Sequence, residues 1–138
     1  MKIKKGYLIL ATLVFSLQSF SIDTNINCDK LKKGKYFYYS QNSREKILVD
    51  RTDSLQIETN QSGKVLMKNK IVWREDCKFD MYLNAFSNSK LGEIDSIIAA
   101  TPSHVEIIDI SDAFYIFITK MDIFNKKFNY MDTLYFRK

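Results

Sequence analysis

The sequence predicts an all-β fold, an antiparallel meander of about eight strands that forms a small barrel or half-barrel. Apolar and polar residues alternate with a period of two along much of the chain, which is typical of strands with one buried face. β-branched and aromatic residues are abundant, and short turn-forming segments separate the alternating stretches. We favour a barrel over the alternative, a two-sheet sandwich, because closure removes exposed strand edges.

The clearest strand covers residues 77–85. Cys77, Phe79, Met81, Leu83 and Ala85 share one parity, and the residues between them are Lys, Asp, Tyr and Asn. Such alternation indicates an antiparallel strand that faces the core on one side. It places Cys77 on the buried face, where a structural disulfide is expected.

The other strands are less regular, and we find no amphipathic helix beyond a possible helical turn at residues 29–33. Gly63 ends a predicted hairpin loop at residues 60–63, because glycine adopts positive φ at little cost. In chain order, the other predicted strands cover residues 35–40, 46–51, 55–59, 64–74, 93–99, 104–110, 113–121 and 130–136.

Residues 1–21 have the pattern of a cleaved signal peptide. Lys2, Lys4 and Lys5 precede an apolar stretch at residues 7–15, and small residues stand at the positions that precede cleavage after Ser21. The apolar stretch is shorter than the ~20 residues that a bilayer-spanning helix needs, so no transmembrane anchor is expected after cleavage. We therefore predict a secreted or periplasmic protein with one β-rich domain, residues 22–138.

The charge of the mature chain does not indicate a nucleic-acid partner. The full sequence has 21 Lys and Arg against 16 Asp and Glu. The predicted signal contains three of the lysines and no acid, so 18 basic residues face 16 acidic ones in the mature chain. The basic residues are interleaved with acidic ones instead of forming a stripe.

Cys28 and Cys77 are the two cysteines of the chain, and export would bring them into an oxidising compartment. We predict that they form a disulfide bond; two buried free thiols are the alternative. One histidine and two distant cysteines do not make a metal-ligand set, so we predict no metal site and no cofactor.

Three segments of the sequence resemble a group of small, uncharacterised secreted proteins of flavobacterial type, some of which carry a topoisomerase IV label. The segments are Cys28-x-x-Leu-x-x-Gly34-x-Tyr36, the run at residues 51–58, and Ile-Val-Trp73-x-x-x-Cys77-x-Phe. The resemblance covers residues 28–83 and implies export and a β fold, without a characterised activity. A second, weaker likeness is to lipocalin-type barrels, which usually have tryptophan at the place of Tyr36.

Few residues are candidates for catalysis, so we predict that the protein is not an enzyme. His104 is the single histidine, and it stands at a predicted strand start without a nucleophile motif. The carboxylate clusters at residues 50–58 and 75–76 are better explained as turn residues or as a cross-strand Arg51–Glu58 pair. A secreted hydrolase that uses a carboxylate pair or His104 is the alternative.

Consecutive residues of the aromatic run 36–39 point to opposite faces, so one face should be core and the other should leave tyrosines at the surface, where they are enriched at interfaces. The run at residues 113–118 is apolar on both faces and is expected to be buried on both sides or covered by a partner. We therefore predict a non-catalytic binding module for a small apolar ligand or a protein partner. Trp73 is expected to pack on the disulfide, with ligand stacking as the alternative. The candidate binding or interface residues are Trp73, Tyr36, Tyr38, Met81, Phe114 and Ile116.

Overall fold

The computed structural model describes residues 26–86 and 93–138, and the predicted signal segment lies outside the described residues. Eight antiparallel strands each pair with the next strand along the chain, and β8 pairs back with β1, so that the sheet is a closed barrel. The predicted all-β barrel is confirmed. The strands are β1 (Gly34–Tyr39), β2 (Lys46–Arg51), β3 (Leu55–Thr59), β4 (Val65–Glu75), β5 (Lys78–Phe86), β6 (Ser103–Ile110), β7 (Phe114–Ile123) and β8 (Lys126–Phe136).

The strand predicted at residues 93–99 is wrong, because this segment forms the helix α1 (Glu93–Ala100), which packs against β5. Its isoleucines, Ile94, Ile97 and Ile98, follow the i, i+3, i+4 spacing of one helix face, and two alanines support the helical conformation. The Thr101 hydroxyl donates a hydrogen bond of 2.8 Å to the Ile97 carbonyl at the C-terminus. Within the described residues, no helix is long and apolar enough to cross a membrane.

The strand register determines which side chains point into the barrel. Tyr36 on β1 pairs with Val49 on β2, and Phe79 on β5 pairs with Val105 on β6. These side chains are all buried, whereas their chain neighbours are more exposed. The period-two alternation in the sequence therefore becomes an inside and an outside of the barrel.

One end of the barrel is closed by a short 3-10 helix, Asp29–Leu31, and by a disulfide bond. Cys28 and Cys77 are bonded with their Cα atoms 5.2 Å apart, so the predicted pairing is confirmed. The buried Tyr36 hydroxyl donates a hydrogen bond of 3.1 Å to the Leu31 carbonyl. The helix is thus tied both to the barrel wall and to a core side chain.

Gly34 makes this end compact because the Tyr36 ring lies directly against its backbone. A Cβ atom at Gly34 would be 2.6 Å from the Tyr36 hydroxyl oxygen and 2.8 Å from the adjacent ring carbon. Any side chain at position 34 would therefore push the buried ring out of place.

The opposite end of the barrel is its mouth. It carries the β1–β2, β3–β4 and β7–β8 turns together with the connection that contains α1. The β7–β8 turn has Phe124 and Asn125 at positive φ, and Phe124 is exposed. The mouth therefore combines exposed apolar side chains with loop backbone, unlike the packed closed end.

Candidate functional site

A cavity of about 310 Å³ lies inside the barrel, between the packed closed end and the mouth. This volume is at the lower end of the roughly 300–1,000 Å³ that is usual for small-molecule sites. Its apolar wall includes Met67, Met81, Leu83, Phe117 and Met121, and Ile98 of α1 contributes near the mouth. Its polar wall includes Arg51, Gln56, Glu58, Asn69, Tyr130 and Asp132.

A chain of buried hydrogen bonds runs through the polar wall. The Arg51 Nε and Nη2 groups donate to the Gln56 Oε1 atom at 2.9 and 2.6 Å. The Gln56 Nε2 group donates to Glu58 Oε1 at 2.9 Å, and the Tyr38 hydroxyl donates to Glu58 Oε2 at 2.8 Å. Each polar group is matched with a donor or acceptor, as the burial of these side chains requires.

Tyr38 is held as a neutral donor in this chain. Burial raises the pKa of its hydroxyl, and the neighbouring Glu58 carboxylate raises this pKa further. The direction of the Tyr38–Glu58 hydrogen bond is therefore fixed, with the phenol donating and the carboxylate accepting.

Arg51 separates the cavity from the closed end. Its guanidinium carbon lies 4.9 Å from the Phe79 ring centroid, 5.3 Å from that of Tyr36 and 5.8 Å from that of Tyr115. A third N–H group, on Nη1, donates to the Leu31 carbonyl at 3.3 Å. The cation is thus surrounded by aromatic faces and bound to the closing helix.

Tyr115, the innermost of these rings, is fully buried and its hydroxyl has no hydrogen-bond partner among the described residues. Burial raises its pKa to about 12, although the nearby Arg51 guanidinium acts in the opposite direction. Tyr115 is therefore neutral, and it serves as a packing residue of the closed end.

The expected cross-strand pair of Arg51 and Glu58 differs from the arrangement in the structure. Both side chains are buried instead of exposed, and Gln56 lies between them in the hydrogen-bond chain. On β3 the polar residues Gln56 and Glu58 face inward, while Leu55 and Ile57 are only partly buried on the other face. Strand β3 thus reverses the usual apolar-inward pattern because it supplies the polar wall.

Asp132 and Asn69 complete the polar wall, and neither was identified from the sequence. Asp132 pairs with Phe117 across β7 and β8, and its Oδ1 atom accepts a hydrogen bond of 2.7 Å from the Thr133 amide. Asn69 pairs with Gln56 on β3 and is 5% exposed. The only sequence signal for both residues was that they stand two positions from inward-facing apolar residues on the same strand, such as Met67 for Asn69.

His104 lies outside the barrel, in a hydrogen-bonded cluster with Asp80 and Arg74. The His104 Nδ1 atom is 2.6 Å from Asp80 Oδ1, and the Arg74 Nε group donates to Asp80 Oδ2 at 2.7 Å. Burial tends to raise the pKa of the Asp80 carboxyl, but these two hydrogen bonds outweigh burial and the net pKa is lowered. In the described part of the chain, no hydroxyl or thiol is hydrogen-bonded to the His104 ring.

The other carboxylates proposed from the sequence lie on the outer surface, except Glu58. Asp50 pairs with Arg137, Asp53 with Lys33, and Glu75 with Lys78. These exposed ion pairs contribute little to stability and do not face the cavity.

The six candidate binding residues fall into three places. Tyr38 and Met81 line the cavity. Tyr36 and Trp73 pack at the closed end, where the ring centroids of Trp73 and Phe79 are 4.6 Å apart. Phe114 and Ile116 have the opposite parity to the buried Tyr115 and are partly buried on the outer face. The structure therefore brings together Tyr38 and Met81 of this set, and separates the other four from the cavity.

Phe114 belongs to a cluster of aromatic rings on the outer face of β1, β7 and β8. Phe37 stacks on Tyr135 with ring centroids 5.2 Å apart, and Tyr39 and Phe114 contact Tyr135 at 6.5 and 5.9 Å. Tyr39 is exposed and the other rings are partly buried. This outer aromatic cluster is the second place where apolar side chains face away from the core.

Comparison of the chain with protein-family models, with curated proteins and with solved structures finds no match. Among residues 26–86 and 93–138, no three His, Cys, Asp or Glu side chains are grouped so that they could hold a metal ion. The cavity and the outer face of the barrel are therefore the two features that bear on function.

Proposed function

We propose that the chain is an exported, non-catalytic binding module whose barrel holds a small molecule, largely apolar, in its interior. The observation that carries this proposal is the cavity itself. Its wall includes Met67, Met81 and Leu83, and α1 lies at the mouth with Ile98 directed to the cavity. Concave, mostly apolar sites with a few placed polar groups are the usual form of small-molecule sites.

Export is supported by two independent features. Residues 1–21 have the charge and hydropathy pattern of a signal peptide, and the Cys28–Cys77 bond needs an oxidising compartment. We propose a secreted or periplasmic location for the mature protein on this basis.

Native mass spectrometry of the protein purified from its own host tests the binding proposal. Leu83→Trp fills the cavity, and Ile116→Trp adds the same side chain to the outer face of β7 as a matched control. We expect a co-purifying small molecule with the wild type and with Ile116→Trp, and its loss with Leu83→Trp. Retention of the molecule by a folded, disulfide-bonded Leu83→Trp protein, or no bound molecule in the wild type, would contradict the proposal.

Hydrolysis by a carboxylate pair is a second candidate function, because Glu58 and Asp132 both line the cavity. Glycoside hydrolysis requires one carboxylate and one protonated carboxyl on either side of the scissile bond. Both carboxylate oxygens of Glu58 already accept hydrogen bonds, Oε1 from Gln56 and Oε2 from Tyr38, so neither oxygen is left free to face a scissile bond alone. We therefore place binding first; turnover of aryl glycosides that is lost in both Glu58→Gln and Asp132→Asn would reverse this order.

Binding of a partner protein is a third possibility, and the outer aromatic cluster is the observation that favours it. Exposed aromatic rings are enriched at protein interfaces. Tyr39→Ser would weaken a protein complex at this face without changing the contents of the cavity. A small molecule retained by Tyr39→Ser and lost in Leu83→Trp would separate the two binding modes.

A further inference from the structure

The charged side chains of the cavity wall have a net negative charge. Arg51, Glu58 and Asp132 are the charged residues among the described lining, so one positive charge faces two negative ones. The mature chain as a whole has a small excess of basic residues. The acidic interior is therefore a local property of the cavity.

The guanidinium group of Arg51 is already hydrogen-bonded to other groups of the protein. Three of its N–H groups donate to the Gln56 side chain and the Leu31 carbonyl, and aromatic rings lie around the guanidinium. An anionic ligand would have to displace Gln56 and would then lie beside the Glu58 carboxylate. Arg51 is better suited to support the wall than to bind an anion.

The acceptor atoms of the wall, in contrast, have capacity left. A carboxylate accepts about four hydrogen bonds. Glu58 accepts two from the described residues, and Asp132 accepts one, at Oδ1. The Asp132 Oδ2 atom accepts none from the described residues, so a ligand that donates N–H groups would complete this part of the wall.

Asn69 supplies an independent indication of a ligand. It is 5% exposed, it lines the cavity, and its side-chain amide donates no hydrogen bond to a described residue. The Asn69 side chain is not among the fully enclosed polar groups that lack a partner, so its amide opens onto the cavity and is placed to contact a bound molecule. Asn69 lies on β4 and its side chain can both donate and accept.

Aromatic rings and the two carboxylates line the same cavity. Tyr38, Phe117 and Tyr130 line the cavity, and the faces of such rings attract cations. Burial is the largest cause of the raised pKa of Tyr38, the Glu58 carboxylate is the second, and the Asp132 carboxylate adds a smaller increase. Both acids are therefore close enough to influence the same phenol. The negative charge is therefore concentrated near these rings.

We infer that the ligand of this cavity is a small organic amine, bound as its protonated cation between Glu58 and Asp132 with its apolar body against the methionine-rich wall. This inference rests on the proposed binding function and names its ligand class. The ammonium group donates to the free carboxylate acceptors and brings the net charge of the filled cavity to zero. The apolar body contacts Met67, Met81 and Leu83.

Isothermal titration calorimetry of the mature, disulfide-bonded protein tests this inference with three probes of similar size. They are 2-phenylethylamine, which is cationic at neutral pH, the neutral 2-phenylethanol and the anionic phenylacetate. A charged hydrogen bond predicts that the amine binds about ten-fold or more tightly than the alcohol. Asp132→Asn, which keeps the shape of the side chain, should remove most of this difference, whereas the exposed control Asp112→Asn should not.

Equal affinities of the amine and the alcohol, or tighter binding of phenylacetate, overturn the cation inference and leave cavity binding intact. Absence of binding by all three probes also overturns it. The proposed binding function is decided separately, by the small molecule that the wild type retains and Leu83→Trp loses. An unchanged preference for the amine in Asp132→Asn would show that Asp132 does not receive the ammonium group and would likewise overturn the inference.

Discussion

Arg51 and Glu58 have opposite charges and are both buried in the barrel, yet the Gln56 carboxamide lies between them and accepts from one while donating to the other. The arrangement fixes the orientation of the Gln56 amide, with oxygen toward the cation and nitrogen toward the anion. It also keeps the Glu58 charge at the cavity wall instead of neutralising it in a direct ion pair.

Removing the Gln56 amide should destabilise the fold strongly. Gln56→Leu leaves a buried guanidinium and a buried carboxylate each without a main partner, which costs about 2–4 kcal/mol of unfolding free energy. Urea unfolding measures this loss. The exposed Gln61 gives the matched control, since Gln61→Leu should change stability by less than about 0.5 kcal/mol; equal effects of the two variants would show that the buried chain does not stabilise the barrel.

The disulfide should be the largest single covalent contribution to stability. Cys28 and Cys77 are 49 positions apart, and closing a loop of this length is worth about 4 kcal/mol as an upper figure from chain entropy. We expect non-reducing mass analysis of the exported protein to show the loss of two hydrogens. The double variant Cys28→Ser/Cys77→Ser should lower the melting temperature by about 8 °C or more; two thiols that alkylate in the folded protein would contradict the bond.

Two glycines should respond differently to substitution by alanine. Gly34→Ala places a methyl group against the buried Tyr36 ring and should cost about 1–3 kcal/mol. Gly63 lies at φ +82° with open space around it, so Gly63→Ala introduces backbone strain alone and should cost about 1 kcal/mol. Near-ultraviolet circular dichroism should change for the first variant and not for the second, because the aromatic packing is disturbed only at Gly34.

The stabilising contribution of the Asp80 carboxylate should be lost in acid, so the protein should be less stable at low pH. Its pKa in the folded state lies below the ordinary value, because His104 and Arg74 together outweigh the effect of burial. Stability from this group is therefore present above about pH 4 and is lost as the pH falls through the lowered pKa. The effect is at most about 1 kcal/mol, since both partners are largely exposed.

Asp80→Asn tests this dependence. Its unfolding free energy should change less than that of the wild type between about pH 6 and about pH 3. The exposed Asp112→Asn is the control and should follow the wild type. An Asp80→Asn profile that falls as steeply as the wild type would show that the His104–Asp80–Arg74 cluster contributes nothing.

Strands with regular alternation could be predicted from the sequence. Strand β5 is the example, because the face of the strand that carries Phe79, Met81 and Leu83 points into the barrel along the whole strand. The segment of α1 is predicted as a strand because isoleucine favours strands, although the spacing of Ile94, Ile97 and Ile98 is helical. Its tertiary position on β5, which the sequence does not reveal, decides between the two.

The candidate site was less predictable than the fold. Met81 and Tyr38 could be identified by parity, but parity states only which way a side chain points, not whether the interior is filled. Gln56 and Glu58 face inward on a strand whose apolar residues face outward, which is the reverse of the usual pattern. The buried Gln56 and Glu58 side chains are stable there only because Arg51 on β2 and Tyr38 on β1 form hydrogen bonds with them. The local sequence pattern of β3 does not show that these partners lie on other strands.

The seam between β1 and β8 has a consequence for how the chain folds. It is short, with Tyr36 paired to Phe136 and Phe37 paired to Tyr135, whereas every other strand pair joins neighbours in sequence. Ring closure thus brings together residues 100 positions apart, at an entropic cost that the hairpins do not incur. We expect the hairpins to form first and closure to limit the folding rate, so that pulsed hydrogen exchange protects the Arg137 amide, which donates to Lys35 across the seam, later than amides within β4 and β5.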